Sequence, residues 1–314
     1  DFPSTQMHLL DIQEQNCVIA KANAEANNTS IKSFTCNNFF IFGELGLDGK
    51  VKKTNAIFPI ILSLASHTPN LRVLVPHELL SKVHQIPNIE AFGVETLSDA
   101  VLFFKEKRFT METPPREQNF CENSLEIEGK HYFYTTQFPL DFSDVLGQHR
   151  AKRAMLIAAA GMHNLLMEGS PGCGKSMSIK RLRYILPPQS IEEILESNAY
   201  QSLQEEDVEL SPLRPFRSPH HSASLTAMVG GGSIPAPGEI SLAHNGILFL
   251  DELPEFERRV LDALREPIES REVHISRTRA KVTYPAHFQL IAAMNPTPMG
   301  HYEGRHNRSS PDQV

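Results

Sequence analysis

The chain has 314 residues, 40% of them hydrophobic, and a formal net charge of −7 at pH 7. This length allows about two domains with a sizeable buried core. The acidic balance excludes an overall positive field of the kind that attracts nucleic acids. Four widely spaced cysteines argue against a disulfide framework. No apolar run reaches about 18 residues and no signal peptide is visible, so the sequence predicts a cytoplasmic protein without a membrane span.

Residues 1–105 form the first predicted domain. The apolar runs at 39–42 and 73–75 are typical of strands, and residues 55–66 have the pattern of a helix. A short turn containing Asp-Gly precedes that helix. This mixture of short strands and helices indicates a folded unit separate from the rest of the chain.

The next segment, residues 106–140, is polar, contains a Pro-Pro pair and carries one strand-like run at 131–136. Its composition predicts a linker. From residue 141 to residue 314, apolar strands alternate with helices, which predicts an α/β domain with a parallel sheet. The predicted strands, each apolar enough to be buried on both faces, are 164–168, 246–250 and 288–293.

A complete phosphate-binding loop, G-x-x-x-x-G-K-[ST], follows the first of these strands. Its residues are Gly169, Ser170, Pro171, Gly172, Cys173, Gly174, Lys175 and Ser176. Glycines let successive backbone N–H groups turn towards phosphates, and the lysine adds a positive charge near the β- and γ-phosphates. A predicted helix at 177–185 follows, so the loop has the strand–loop–helix context that the motif requires. The sequence therefore predicts a nucleoside triphosphate site.

Two consecutive acids end the second predicted strand. The Asp251 carboxylate and the Ser176 hydroxyl are hard oxygen ligands of the kind that Mg²⁺ prefers. Glu252, the next residue, is placed to orient and deprotonate an attacking water. Together with Lys175, these residues predict Mg²⁺-assisted hydrolysis of ATP.

A segment ahead of Asp251 contains three consecutive glycines, 230–232, which predict a flexible tip. The basic and imidazole side chains just ahead of it are Arg214, Arg217, His220 and His221. Adjacent histidines seldom point the same way, and no third ligand stands at a usable spacing. Loop mobility near a binding partner is therefore favoured over a metal site.

A basic hairpin is predicted between residues 272 and 288. Two alternating runs are typical of paired strands and place Arg277, Arg279 and Lys281 at or near the tip. From residue 271 to residue 308, six Lys and Arg stand against two Asp and Glu, a local charge of +4. Such a patch can contact the phosphates of DNA. The alternative is a solvated hairpin whose charges serve solubility.

These segments together resemble the ComM/YifB family of Mg-chelatase-like AAA+ ATPases. The matching segments are FSDVLGQ at 142–148, AKRA at 151–154, the phosphate-binding loop, RPFRSPHH at 214–221, VGGG at 229–232, PGEISLAH at 237–244, DELPEF at 251–256 and AAMNP at 292–296. They cover nearly all of residues 141–296. The segment 43–49 resembles the second half of the family's Lon-protease-like domain. The resemblance implies an AAA+ P-loop core, preceded by a partial Lon-protease-like (S5-like) α+β domain at 1–105.

The resemblance also implies roles for individual residues. Asn295 would be the sensor of the γ-phosphate or the lytic water, whereas a strand-end Asn can also be a structural turn former. Val145 and Gly147 lie in a segment that resembles the one along the adenine. In the family, insertions project towards the pore of a ring, so self-association into a hexamer is expected. In helicase-like relatives the hairpin corresponding to 272–288 touches DNA.

Three functions remain open. The leading hypothesis is an ATP-driven motor on branched or single-stranded DNA, similar to the ComM branch-migration helicases of natural transformation. The alternatives are a Mg-chelatase-type motor subunit that remodels a partner protein, and a nucleotide-binding remnant that does not hydrolyse ATP. By comparison with the family, the chain is expected to be truncated at both ends. At the N-terminus the first half of the Lon-protease-like domain is missing, and at the C-terminus the chain stops before the arginine finger and the helical lid. Because such a finger can raise turnover by about 10³-fold, hydrolysis by this chain alone stays open.

Overall fold

The computed structural model describes residues 34–36, 39–105, 123–205, 208–232, 235–277 and 280–296. The chain divides into two units, one made of Asp1–Asn119 with Ser202–Val208 and the other of Phe120–Gln201 with Glu209–Val314. The segment predicted as a linker, 106–140, thus includes residues that group with the second unit. None of the helices in the described ranges is long and apolar enough to cross a bilayer.

A four-stranded sheet organises the first unit. Its elements, in chain order, are β1 (Phe34–Cys36), β2 (Phe39–Ile41), β3 (Glu44–Leu45), β4 (Val51–Lys52), α1 (Ile57–His67), β5 (Leu71–Pro76), α2 (His77–Val83), β6 (Ile89–Val94) and α3 (Leu97–Lys105). The sheet has the order β1-β2-β5-β6; β1 is antiparallel to β2, and β2, β5 and β6 are parallel. Strands β3 and β4 pair separately. The two strands and the helix that the sequence predicts here are confirmed.

Aromatic side chains form the core of this unit. The ring of Phe39 on β2 lies 5.6 Å from Phe92 on β6 and 5.4 Å from Phe103 on α3, measured between ring centroids. Both contacts are edge-on, and such pairs contribute about 0.5–1.5 kcal/mol each beyond their buried area. Leu74 and Val94 complete the cluster. The apolar runs of β2, β5 and β6 are therefore a consequence of packing against α3.

The second unit contains a hairpin sheet and a parallel sheet. Its elements are β7 (Asn123–Ile127), β8 (Lys130–Tyr134), α4 (His149–Gly161), β9 (Leu165–Glu168), α5 (Lys175–Leu182), β10 (Gln189–Ser190), α6 (Ile191–Ser202), β11 (Phe216–Arg217), α7 (Leu225–Val229), β12 (Gly230–Gly231), β13 (Ala236–Pro237), α8 (Glu239–Leu242), β14 (Ile247–Leu250), α9 (Arg258–Ala263), α10 (Arg265–Ser270), β15 (Glu272–Arg277), β16 (Ala280–Pro285) and β17 (Gln289–Met294). Strands β7, β8 and β10 form the antiparallel sheet. Single 3-10 turns cover Phe142–Asp144, Arg183–Ile185 and Leu253–Glu255.

Four parallel strands form the central sheet, in the order β11-β14-β17-β9. All four residues of β14 are buried. Ile247 and Phe249 share one core cluster with Met155 on α4 and Ile179 on α5, while the two leucines of β14 alternate to the opposite face. Both faces of β14 are thus covered, as in other parallel sheets. The predicted α/β fold, with a parallel sheet flanked by helices, is confirmed.

The strand before the phosphate-binding loop is less buried than the sequence predicts. Within the described residues β9 pairs only with β17, at the edge of the sheet. Its side chains alternate between half-buried and exposed, and Leu166 is 54% exposed. The prediction that this strand is buried on both faces is therefore wrong. Apolar composition does not distinguish an edge strand, which the flanking helices cover incompletely, from a central one.

Two of the three glycines at 230–232 lie in a strand and not in a flexible tip. Gly230 and Gly231 make up β12, which pairs antiparallel with β13. A Cβ atom on Gly230 would lie 2.4 Å from the carbonyl oxygen of Ala236 and 2.9 Å from Cδ1 of Ile275. With its φ of 102°, this residue must be glycine both for its backbone conformation and for close packing. Gly230 is therefore explained by the close approach of two other segments of the same chain. From the sequence alone, the run of glycines suggests flexibility instead.

The predicted hairpin at 272–288 is confirmed. Strands β15 and β16 pair antiparallel along their whole length, and Arg277 faces Ala280 in the last pair. The hydroxyl of Tyr284 donates a hydrogen bond to the carbonyl oxygen of Pro235 at 2.9 Å, which joins the hairpin to the segment beside β13. Residues 278–279, and with them Arg279, lie outside the described residues.

A buried polar network lies where the chain enters β14 and β17. The backbone N–H of His287 donates to Nδ1 of His244 at 3.0 Å, and Nε2 of His244 lies 3.2 Å from the Glu196 carboxylate. Because Nδ1 accepts a hydrogen bond, the ring proton of neutral His244 is on Nε2, facing that carboxylate. The contact with His244 is the largest cause of the lowered pKa of Glu196. Burial raises the pKa of nearby Tyr200 to about 12.

Acid should destabilise the second unit through His287. Burial is the largest cause of the lowered pKa of this ring; repulsion from Arg271, from His244 once that ring is protonated, and from Arg214 adds to it, while Glu193 opposes them. The folded chain therefore binds fewer protons here than the unfolded chain, whose histidine pKa is about 6.5. The stability contributed by neutral His287 is complete above that value and is lost as the pH falls towards the lower folded pKa. We expect the thermal unfolding midpoint to fall between about pH 7 and about pH 5.5.

The variant His287→Gln should remove part of this fall because it has no ring to protonate. His131→Gln is the matched control, since that histidine is exposed on β8. The measurement is thermal unfolding followed by circular dichroism at each pH. A pH dependence that is the same in the parent and in His287→Gln would contradict the assignment.

Candidate nucleotide-binding site

Three strand ends meet at one edge of the central sheet. Strands β9, β14 and β17 are parallel, so their carboxyl ends lie at the same edge, where open α/β sheets bind ligands. β9 leads into the loop 169–176, β14 into Asp251 and Glu252, and β17 into Asn295. Residues more than a hundred positions apart in the chain thus become neighbours because of the strand order.

The phosphate-binding loop wraps the ammonium group of Lys175. Nζ donates to the carbonyl oxygens of Gly169 and Ser170, the latter at 3.1 Å. It also donates to Oδ1 of Asn295 at 3.0 Å, and Sγ of Cys173 lies 3.9 Å away. The structure therefore brings the loop lysine together with the predicted sensor.

Two glycines give the loop a backbone conformation that other residues rarely adopt. Gly172 and Gly174 have φ angles of 75° and 87°, in the left-handed region that glycine adopts without steric cost. Pro171, Gly172 and Cys173 are exposed and Gly169 is buried, so the loop presents its middle to solvent. It leads directly into the amino end of α5, where the helix dipole and free N–H groups favour an anion. A nucleotide phosphate fits this donor set.

Ser176 and Asp251 form the second contact of the site. The Ser176 hydroxyl donates to Oδ2 of Asp251 at 2.6 Å, and both side chains are half-buried. These two hard oxygens fit Mg²⁺, which is commonly held by one or two protein oxygens and completed by phosphate oxygens and water. In the part of the chain that the structure describes, no group of three or more His, Cys, Asp and Glu side chains could hold a metal ion. The pair Ser176–Asp251 matches a nucleotide-bound Mg²⁺ better than an all-protein metal site.

Glu252 has an unusual backbone conformation and a specific partner. Its φ and ψ are 54° and 49°, in the left-handed region, which costs a non-glycine residue of order 1–2 kcal/mol. Its backbone N–H donates to Oδ1 of Asp251 at 3.1 Å, and its carboxylate Oε2 lies 3.4 Å from Nδ1 of His221. Strain of this kind is concentrated at functional sites. The sequence gives no signal for the His221 contact, which arises only because β11 pairs with β14.

The segment 145–148 connects to the phosphate-binding loop. Val145 is buried, and Gly147 is exposed with a φ of 67°. The side-chain amide of Gln148 donates to the carbonyl oxygen of Cys173 at 3.3 Å. The predicted adenine segment is therefore attached to the loop that would hold the phosphates.

Arg181 on α5 fixes the start of this segment. Its guanidinium donates to the carbonyl oxygens of Asp141 and Met177 at 2.8 and 2.9 Å, and to the Asp144 carboxylate at 3.0 Å. The pKa of Asp144 is lowered, first by the backbone hydrogen bond from Asp141 and then by Arg181. Sequence reasoning missed Arg181, because one arginine on a helix carries no motif.

The residues predicted to contact DNA are only partly described. Arg277 ends β15, and Lys281 is exposed on β16 opposite Ser276. Arg279 lies outside the described residues. Arg277 and Lys281 belong to the hairpin, which is a separate element from the loop and strand ends that form the candidate nucleotide site.

The two arginines ahead of the glycine segment make internal contacts. Arg214 is 8% exposed; it donates to the carbonyl oxygens of Pro187 and Asn245, both at 2.8 Å, and to the Glu193 carboxylate at 3.3 Å. Arg217 donates to both carboxylate oxygens of Glu239 on α8, at 2.7 and 2.9 Å. The expectation that these arginines belong to a mobile partner-binding loop is therefore wrong.

Removing Arg214 should destabilise the second unit. Arg214→Ala leaves buried carbonyl groups and the Glu193 carboxylate without their donor, a change that costs at least about 2 kcal/mol. The measurement is urea-induced unfolding. Lys281→Ala is the control. Because the side chain of Lys281 is exposed, this variant should change the free energy of unfolding by no more than about 0.5 kcal/mol. If Arg214→Ala lowered the free energy of unfolding by less than about 1 kcal/mol, the Arg214 guanidinium would not be important for stability.

The fold and the loop define a P-loop nucleotide-binding domain of the AAA+ type. The family model described as "Magnesium chelatase, subunit ChlI" matches residues 141–313, more than half of the chain. The chain therefore belongs to the magnesium chelatase ChlI family of AAA+ proteins.

Three relatives indicate its position within the family. YifB of Salmonella typhimurium is 70% identical over 176 residues, which are 55% of this chain and 35% of that protein. Competence protein ComM of Haemophilus influenzae is 44% identical over 278 residues, which are 88% and 52%. The magnesium-chelatase 38 kDa subunit of Cereibacter sphaeroides is 26% identical over 180 residues, which are 50% and 53%. The resemblance to ComM and YifB is confirmed, and the chain spans between about a third and a half of these relatives' length.

Proposed function

We propose that the chain forms the nucleotide-binding part of an ATP-driven motor that acts on DNA. Two contacts support the proposal that the chain binds ATP: Ser176 with Asp251 at 2.6 Å, and Lys175 with Asn295 at 3.0 Å. A loop and two strand ends supply these four groups at one edge of a parallel sheet. Their chemistry matches phosphate binding, Mg²⁺ binding and sensing of the terminal phosphate.

Each residue has a distinct role in the proposed hydrolysis. Lys175 binds the β- and γ-phosphates, and Asn295 contacts the γ-phosphate or the attacking water. Ser176 and Asp251 would hold Mg²⁺, a cation that, when bound, would supply positive charge to the phosphate oxygens. Glu252 orients the water and takes its proton. Val145 and Gly147 line the position of the adenine.

DNA as the partner is supported by the hairpin and by the relatives. The hairpin forms as predicted, Lys281 on it is exposed, and Arg277 ends its first strand. The relative that aligns over the longest part of this chain among those above is named competence protein ComM. In this proposal the subunits assemble into a hexameric ring in the cytoplasm, and the motor moves branched or single-stranded DNA.

The N-terminal unit is proposed to be part of a Lon-protease-like domain. The alignment with ComM extends over 278 residues, more than residues 141–314 alone contain, so it includes part of this unit. A motor that remodels a partner protein is the second candidate function, because the matching family model is named after a chelatase subunit. In that case a protein, and not DNA, would stimulate ATP turnover.

Variants of the loop lysine and of the proposed base should separate binding from hydrolysis. Lys175→Ala removes the charge that faces the phosphates and should abolish binding of a fluorescent ATP analogue. Glu252→Gln keeps the shape of the side chain but cannot accept a proton, so binding should persist while turnover falls by about 10²-fold or more. The measurements are equilibrium binding and phosphate release, with and without DNA and across protein concentrations.

Glu255→Gln is the matched control for the base, because this exposed acid lies in the next turn. Turnover by Glu252→Gln at the parental rate would refute its role as the base. Tight ATP binding by the parent without turnover under any condition would instead favour the non-hydrolysing reading.

The basic hairpin should set the salt dependence of DNA binding. Replacing Arg277 and Arg279 together by Ala removes two phosphate contacts, so the slope of log affinity against log salt should become shallower by about 1.4 to 1.8, for single-stranded or duplex DNA respectively. DNA affinity should fall accordingly. The measurement is fluorescence anisotropy with single-stranded and branched DNA at several salt concentrations.

The control variant replaces Arg258 and Arg265 by Ala. These side chains are 92% and 78% exposed on α9 and α10, so the control removes the same charge from a different surface. An equal salt slope in the hairpin variant and in the parent would remove the hairpin from the DNA model.

A further inference from the structure

A short hairpin with an exposed isoleucine at its tip extends from the small antiparallel sheet of the second unit. Strand β10 pairs with Tyr132 and Phe133 of β8, so residues 126–131 extend beyond that pairing. Ile127 faces Lys130 in the last pair of β7 and β8, and it is 51% exposed. The hairpin thus presents an apolar side chain beyond the rest of the sheet.

Two carboxylates flank this isoleucine. Glu126 and Glu128 are both exposed. Glu128 and Gly129 form the two-residue turn, with φ angles of 52° and 77°, and two left-handed residues are typical of the type I′ turn that suits the twist of a hairpin. The turn therefore holds the tip in a compact shape. We call residues 126–128 the acidic tip, because two negative charges surround one apolar side chain there.

Helix α4 has an exposed face of the opposite charge. Its buried side, which includes Met155 and Ala159, belongs to the core cluster of the parallel sheet. The other side follows the helical spacing of three or four residues, and its exposed members are His149, Arg150, Arg153, Leu156, Ile157 and Ala160. Leu156 and Ile157 are 59% and 54% exposed. We call Arg150, Arg153, Leu156 and Ile157 the α4 face, which is basic in its first half and apolar in its second.

The acidic tip and the α4 face are complementary in charge and in apolar character. One presents two carboxylates around an isoleucine, and the other presents two guanidinium groups beside a leucine and an isoleucine. Arginine is the cation that binds carboxylates with a planar fork of donors. Both surfaces belong to the same unit and both are exposed, so neither covers the other within one chain. A second copy of the chain supplies a partner for each of them.

We propose that the acidic tip of one copy docks on the α4 face of a second copy. Ile127 packs on the apolar half of that face, and the two glutamates lie against its arginines. The contact joins two different surfaces, so each copy gives its tip to one neighbour and receives the tip of another; such heterologous contacts close into rings or extend into filaments. This inference rests on the self-association in the proposed function and deepens it by naming the surfaces.

Charge reversal on either surface should weaken self-association. One variant combines Arg150→Glu with Arg153→Glu, and a second combines Glu126→Lys with Glu128→Lys. Each places like charges opposite each other, so the dissociation constant for self-association should rise about tenfold or more. The measurement is sedimentation velocity across protein concentrations at low salt, where exposed charges are least screened.

An equimolar mixture of the two variants is the decisive sample. The reversed α4 face of one variant then meets the reversed tip of the other, and their unaltered surfaces also match, so the mixture should associate as the parent does. Arg258→Glu with Arg259→Glu is the control, because these exposed side chains on α9 undergo the same change of charge on another surface. A mixture that associates as weakly as its components, or reversed variants that associate as the parent does, would overturn the inference.

A photo-crosslink tests the contact without altering any charge. After irradiation, Ile127→p-benzoylphenylalanine should yield a product with the mass of two chains, joined to the tryptic peptide 154–175 that contains Leu156 and Ile157. Crosslinks to any other surface of the second copy would overturn the inference. Parent chains that stay monomeric at every concentration would refute the proposed self-association itself, whereas parent chains that assemble but do not respond to the charge reversals would refute only the assigned surfaces.

Discussion

The parallel alignment of β9, β14 and β17 is the constraint on which the rest of the structure depends. Parallel strands in register have their carboxyl ends at one edge, so the loop at 169–176, the acids after β14 and Asn295 must be neighbours. The alignment is held by apolar side chains such as Phe249 and Ile291, which share a core cluster with α4 and α5. Packing on the helices therefore fixes hydrogen-bond distances at the strand ends.

The segment around β12 and β13 and the hairpin of β15 and β16 are joined by contacts that leave little freedom. Gly230 permits the close approach of Ile275, and the Tyr284 hydroxyl donates to the Pro235 carbonyl. These contacts favour movement of the two elements together. The same segment is continuous with His221, which contacts Glu252.

The sequence predicts those features that depend on local patterns. The phosphate-binding loop, the strands around it and the hairpin at 272–288 have a characteristic spacing or alternation, and each forms where expected. The features that it misses are decided by tertiary neighbours. The exposure of β9 depends on its place at the sheet edge, the glycines of β12 on a facing strand, and the internal role of Arg214 on carbonyl groups distant in the chain. The contact of His221 with Glu252 depends on which strand pairs with β14. None of these leaves a periodic signal in the chain itself.

The ammonium group of Lys175 has a consequence for the energetics of ligand entry. A lysine ammonium has three N–H donors, and Nζ here has three oxygen partners: the carbonyls of Gly169 and Ser170 and the side chain of Asn295. An arriving phosphate must displace at least one of them. The binding free energy that the lysine contributes is therefore the difference between two hydrogen bonds, and not the full strength of a new one. The loop is correspondingly preorganised, since the ammonium group of Lys175 joins its first two residues to the end of β17. In the proposed function, a departing phosphate would be replaced by an oxygen of the protein, so the half-buried ammonium group would keep a full set of partners.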